Sequence, residues 1–176
     1  TFFWLRRPIE ATLDRARNGD RDALRTLLLP HEAPLLRLCL GQLGDRSDAE
    51  DAVQETLLQA VRALTRPGGF RGDAQLQTYL VRIALRVCAR RRARRRPTVA
   101  LDSVAELSTD GPETRIVEGA ALREALERLT DLQRAALVLQ AVEGWSVREI
   151  ADALGANEKK IDNALSDDQK LRKRTF

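Results

Sequence analysis

Arginine is the residue type in this chain whose spacing suggests chemistry. Arg86, Arg90, Arg91, Arg92, Arg94, Arg95 and Arg96 crowd one short stretch. A guanidinium is a planar fork of donors that fits phosphate oxygens and base edges better than it fits water. The run therefore predicts contact with a polyanion. A solvated charged tail leading into a linker is the other reading of the same residues. Little else offers reactivity. His31, the sole histidine, accompanies no nucleophile or carboxylate pairing, and with the distant Cys39 and Cys88 it makes no zinc set. No phosphate-cradling glycine loop or nucleophile–base pair is present, so neither an enzyme nor a cofactor is expected. Both cysteines lie on apolar faces of predicted helices and read as buried free thiols in a reducing compartment.

The arginines need an element to present them. Leu76, Tyr79, Leu80, Ile83, Ala84, Val87 and Cys88 recur at steps of three and four, so the run 73–96 predicts a helix anchored in a core at one end and basic at the other. The chain has 176 residues, 43% hydrophobic and only 4% aromatic, rich in Leu, Ala and Arg, which points to an all-α protein. Its net charge is +4, unevenly placed. There is no run of about 18 apolar residues to cross a membrane. The apolar lead-in is too short for a signal peptide, so a cytoplasmic location without membrane insertion is expected.

Upstream, Pro8 suits the first turn of a helix over 9–18, and Asn18-Gly19-Asp20 reads as a stop and a restart. Residues 20–43 predict a helix kinked by Pro30 and Pro34 near His31. Ser47 or Asp48 is expected to cap the next helix, 48–66. That helix keeps Ala49, Val53, Leu57, Ala60, Val61 and Leu64 inward, with Asp48, Asp51, Gln54, Glu55 and Leu58 on another side. A leucine within an acidic-polar face fits a partner surface as well as an ordinary solvated one. Pro67-Gly68-Gly69 ends the helix, and Phe70-Arg71-Gly72 is predicted as an exposed loop.

Pro97 stops the basic helix, and 97–113 is Ser/Thr/Pro/Gly-rich and acidic, hence a linker. The expected architecture is two small helical domains, 1–96 and 114–176, joined by a flexible linker, 97–113. In the second, helices are predicted over 113–129, 130–143, 147–154 and 158–172. Ser146 with Glu149 forms a capping box, Gly155 supplies a left-handed turn and Asn157 can cap the last helix. A small Ala151, Gly155 four residues on, then Ile161 and Leu165 inward is the helix-turn-helix pattern. Its second helix would place Glu158, Lys159, Lys160, Asp162 and Asn163 near base edges in a major groove, with Lys170, Arg172, Lys173 and Arg174 on phosphates.

Three strings, SDAEDAVQETLLQAVRAL, FRGDAQLQTYLVRIALRVCARRR and LERLTDLQRAALVLQAVEGWSVREIADALGANEKKIDNAL, together resemble the extracytoplasmic-function class of bacterial sigma-70 factors over about 20–172. The resemblance implies a promoter-specificity subunit with a region 2-like domain for core RNA polymerase and the −10 element, and a region 4-like domain for the −35 element. It assigns Asp48, Asp51, Gln54, Glu55 and Leu58 to the β′ clamp helices. Phe70, Arg71, Tyr79, Arg82, Arg86, Arg90 and Arg91 fall to the −10 strand, and Arg148, Asn157, Lys159, Lys160, Asn163 and Lys170 to the −35 duplex. The implied partners are core polymerase (β′ clamp helices and β flap), promoter DNA and an anti-sigma factor. The chain departs from the family at Tyr79, where Trp is usual, at Arg86, where Asn is usual, and at Asp167 and Asp168, which would repel a DNA backbone. A sigma mimic that binds an anti-sigma factor, and a stand-alone helix-turn-helix regulator, are the alternative functions.

Overall fold

The computed structural model describes residues 6–66, 69–70, 75–94 and 124–172, with the side chains of 6–10 and 167–172 left aside. All regular structure among them is helical. Helix α1 spans Arg6–Arg17, α2 Arg21–Leu28, α3 Glu32–Leu43, α4 Arg46–Thr65 and α5 Leu76–Arg94. A 3-10 turn, Leu29–His31, joins α2 to α3 and holds Pro30, which is the expected kink. In the second domain residues 124–127 are helical, followed by α6, Asp131–Ala141, α7, Val147–Leu154, and α8, Glu158–Arg172.

Local chemistry sets the boundaries. Gly19 lies at φ 81° and Asp20 caps α2, accepting from the amides of Asp22 and Ala23. Those bonds, with Arg15, hold the Asp20 carboxyl below its ordinary pKa. Asp45, rather than Ser47 or Asp48, caps α4: its carboxylate accepts from Asp48 N at 2.9 Å, because the chain enters the helix one turn earlier than its acidic cluster suggests. Helix α4 ends at Thr65, and the chain folds back so tightly that Phe70 N donates to Ala63 O at 2.9 Å. A Cβ on Gly69 would lie 2.0 Å from that carbonyl oxygen, so glycine is required there. In the second domain Thr130 and Gln133 form a capping box on α6, and the expected Ser146–Glu149 box starts α7. The Ser146 hydroxyl and amide hold Glu149 below its ordinary pKa. Gly155 turns at φ 62°, and Asn157 Oδ1 accepts from Lys160 N at 2.8 Å.

Helices α3, α4 and α5 pack around small residues: Ala49, Ala52, Ala60 and Ala84 are fully buried, so the backbones approach closely. The α5 face formed by Leu80, Ile83, Ala84, Val87 and Cys88 is buried as its periodicity predicts, and Val81 joins it. Cys39 of α3 meets Cys88 of α5 in this core; both are free, and their hydrogen bond together with burial pushes the Cys39 thiol far up in pKa. The buried residues continue from this core into Leu139, Ile150, Ala151 and Ile161 of the second domain, so the two domains share one contiguous apolar interior.

His31 shares a small cavity with Leu35, Leu38, Leu139 and Trp145, and burial holds its pKa below the ordinary 6.5. The folded chain thus binds this proton less readily than the unfolded one, and stability should fall as pH drops through about 6.5. His31→Gln should lessen the fall of the urea midpoint as pH drops below about 6.5; an unchanged slope would assign the acid sensitivity elsewhere. Gly69→Ala should destabilise by about 1–3 kcal/mol, read from the same denaturation curves.

Candidate nucleic-acid interface

The functional surface begins with the two helices that carry most of the charge, α4 and α5. Their spacing brings Asp51, Glu55 and Leu58 onto one stripe of α4, at steps of four and three. Leu58 is 59% exposed, which leaves an apolar side chain open to solvent within an acidic-polar face. Gln54 is exposed alongside, and Asp48 is half-buried at the start of the stripe.

The basic end of α5 lies against this stripe. Arg90 donates to Glu55 at 2.9 Å, and Arg91 reaches Asp51 and Glu55 at 3.5 Å each. Arg92 turns the other way, to Asp131 at 2.8 Å and Gln42 O at 3.3 Å. Of the run expected to meet a polyanion, Arg90, Arg91 and Arg92 are paired within the chain: opposite charges of α4 and α6 draw them into ion pairs. Arg86 and Arg94 are exposed, and Arg95 and Arg96 lie outside the described residues.

The expected −10 face divides. Tyr79 is half-buried with its ring 4.9 Å from that of Phe70, tilted by 47°. Phe70, expected in an exposed loop, is instead buried beneath Tyr79, and its carbonyl accepts from Arg17 at 3.2 Å. Its apolar ring has a core-like partner there, so it anchors the loop and leaves Tyr79 as the outer ring. Arg71 lies outside the described residues, as does the linker 97–113. Arg82 is half-buried and donates to the carbonyls of Asp152, by a short bond, and Ala153, at 3.1 Å, at the C-terminal end of α7. Arg86 lines the adjoining cleft of about 500 Å³ with Gln42, Asp131, Leu132 and Leu154.

In the second domain α7 and α8 cross at the Gly155 turn, with Ile150, Ala151 and Ile161 buried between them. This leaves Arg148, Asn157, Lys159, Lys160 and Asn163 exposed, as a helix-turn-helix reader requires. The side chains of Asp167, Asp168 and Lys170 lie outside the described set.

Residue-type reasoning did not single out Arg134. Its guanidinium is 2% exposed and donates to Leu126 O at 2.8 Å, Leu129 O at 2.7 Å and Gln42 O at 3.1 Å. It resembles any amphipathic-helix arginine in sequence, and only the docking of α6 on α3 buries it. Gly41 did carry a signal: a glycine inside an otherwise leucine-rich helix marks a close approach, and a Cβ there would lie 2.6 Å from Val138 Cγ2.

An all-α chain that pairs a basic, aromatic-flanked helix with a helix-turn-helix unit is a two-domain DNA-binding protein. Residues 27–98 match the family model for Sigma-70 region 2, and residues 119–167 that for Sigma-70, region 4. The chain is 37% identical over 143 residues to the ECF RNA polymerase sigma factor SigM of Mycobacterium tuberculosis, covering 80% of this chain and 70% of that one. It is 30% identical to SigL of the same species, covering 88% and 89%, and 30% identical to the RNA polymerase sigma-H factor of Pseudomonas aeruginosa, covering 81% and 80%. Among solved structures, CnrH in complex with the cytosolic domain of CnrY superposes with a TM-score of 0.70 at 23% identity over 91% of each chain. The sigma factor RpoE bound to the anti-sigma factor NepR from Bartonella quintana gives 0.64 at 24% identity, covering 83% of this chain and 91% of that one. The chain belongs to the extracytoplasmic-function sigma-70 family of RNA polymerase sigma factors.

Arg90 and Arg91 pair at the surface, so replacing both with Ala should change unfolding free energy by less than about 1 kcal/mol. The same double variant should lower the slope of log K against log salt for a single-stranded oligonucleotide by about 1.4, two contacts at about 0.7 each. An unchanged slope would remove both residues from the DNA path.

Proposed function

We propose that this chain binds core RNA polymerase through the α4 stripe and carries it to promoters, reading the −10 element with the first domain and the −35 element with the second. The observation that carries this reading is the presence in one chain of matches to sigma regions 2 and 4, in order, with an exposed reading helix in the second. Asp48, Asp51, Gln54, Glu55 and Leu58 form the dock for the β′ clamp helices; an exposed leucine among acids suits a helical partner with basic flanks. The second domain meets the β flap. Tyr79 offers a ring for stacking an unpaired base, with Arg71, Arg82, Arg86, Arg90 and Arg91 along the strand's phosphates. Arg148, Asn157, Lys159, Lys160, Asn163 and Lys170 hold the −35 duplex. The functional division is 1–96, linker 97–113 and 114–176. The protein works in the cytoplasm without catalytic activity of its own. One structural neighbour is a sigma factor in complex with an anti-sigma factor, which supports an anti-sigma factor as a further partner here.

Transcription with bacterial core polymerase on a library of random promoter fragments tests this. Initiation should depend on the chain and yield a shared −10/−35 pair. Leu58→Glu makes no change to a buried contact, so it should fold normally and weaken core binding by about tenfold. Core binding without initiation would favour a sigma mimic, and no core binding would leave a stand-alone regulator.

A further inference from the structure

We propose that Asp162, on the outward side of α8, reads a base in the −35 duplex and selects cytosine. The inference rests on the function proposed above, which sets α8 in a major groove. Ile161 and Ala164 are buried where α8 packs on α6 and α7, and they fix its rotation. Lys159, Asp162, Asn163 and Ser166 are all exposed on the side away from them.

Folding does not account for an acid at this position. Asp162 is the fifth residue of α8, beyond the first turn where Glu158 meets the positive end of the helix dipole. The start of the helix is already capped by Asn157, whose Oδ1 accepts from Lys160 N at 2.8 Å. Among the described residues no cation pairs with Asp162, Lys159 three positions before it included. Glu158, four positions before it, is a like charge on the same stripe. Aspartate is also a weak helix former away from the N-terminus.

In a groove walled by phosphates an unpaired carboxylate is repelled, so it is tolerated only where it gains a hydrogen bond. A carboxylate accepts and does not donate, and guanine and thymine present acceptors to the major groove. Two exocyclic amines remain, adenine N6 and cytosine N4. Adenine N6 lies between two acceptors, its own N7 and the paired thymine O4, whereas cytosine N4 has an acceptor on one side only. Cytosine is thus the base that repels Asp162 least. Lys159 and Asn163, on the same face, suit guanine and adenine. They are about 6 Å apart along the helix axis, under two base-pair steps of about 3.4 Å. The −35 element should therefore hold a cytosine within two steps of the purines that this pair reads.

The test uses holoenzyme assembled from core polymerase and the full chain, selecting initiating promoters from a library randomised across the −35 region. The parent chain should fix one −35 position as cytosine, and thymine there, with O4 in place of N4, should lower initiation by about tenfold. Asp162→Asn should move the preference at that one position to adenine, because a side-chain amide meets N6 and N7 together. Asp162→Ala should bring cytosine and thymine to within about twofold of each other. It should also tighten binding to duplex of unrelated sequence by about twofold, since one carboxylate leaves the field of the phosphates. A parental −35 element without cytosine, or a cytosine preference that survives both substitutions, would overturn the proposal and leave the sigma function standing. Uniform tightening by Asp162→Ala with discrimination intact would make Asp162 an ordinary solvated acid and would equally overturn it. Failure of the parent chain to initiate at any promoter would overturn the function, and this proposal with it.

Discussion

The arrangement depends on arginine side chains that terminate helices. A buried guanidinium is tolerated only when its donors are satisfied, and Arg134 meets that condition with three backbone carbonyls. Two of these, Leu126 and Leu129, fix the turn before α6, and the third, Gln42, lies in the last turn of α3. One side chain thereby ties the end of one helix, the start of another and a neighbouring domain. Arg82 does the same for α7 and Arg92 for α3. Helix C-termini expose carbonyls with no internal donors, and arginine, with five donors on a long stem, is the residue best able to reach them.

This changes the meaning of the chain's charge. The basic run at the end of α5, proposed to meet DNA, is engaged within the chain, since Arg90 and Arg91 meet α4 acids and Arg92 meets α6. The same acids belong to the proposed polymerase dock. The proposed docking surface and the proposed DNA-contacting arginines are thus physically adjacent, linked by these ion pairs. The Arg90–Glu55 pair is exposed enough to exchange partners with little loss.

The sigma family membership gives these surfaces a purpose, and the structure gives them an order. The helix-turn-helix face is exposed to solvent, while Arg82, proposed to contact the −10 strand, donates to carbonyls of the second domain. Close packing through small residues holds this arrangement: Gly41 lets α6 approach α3, and buried alanines let α4 and α5 pack closely.

Much of this was legible in the residues. Leu80, Ile83, Ala84, Val87 and Cys88 announced the buried face of α5, Ser146 with Glu149 announced the start of α7, and Gly155 announced the turn to α8, because periodicity and capping are decided by neighbours within a few positions. The exposed stripe ending at Leu58 and the exposed Lys159, Lys160 and Asn163 followed from the same local rules. Phe70 was misplaced because a turn that returns to Ala63 O buries a ring that the loop composition leaves outside. Arg82, Arg92 and Arg134 were beyond local reading. Their partners lie on another helix, for Arg82 about seventy residues away. By itself the sequence determined the helices, most of their caps and the exposed faces of α4 and α8. Which arginines face solvent and which close the two domains together was decided by tertiary docking, since a guanidinium binds whichever carbonyl or carboxylate the packing of distant helices brings within reach.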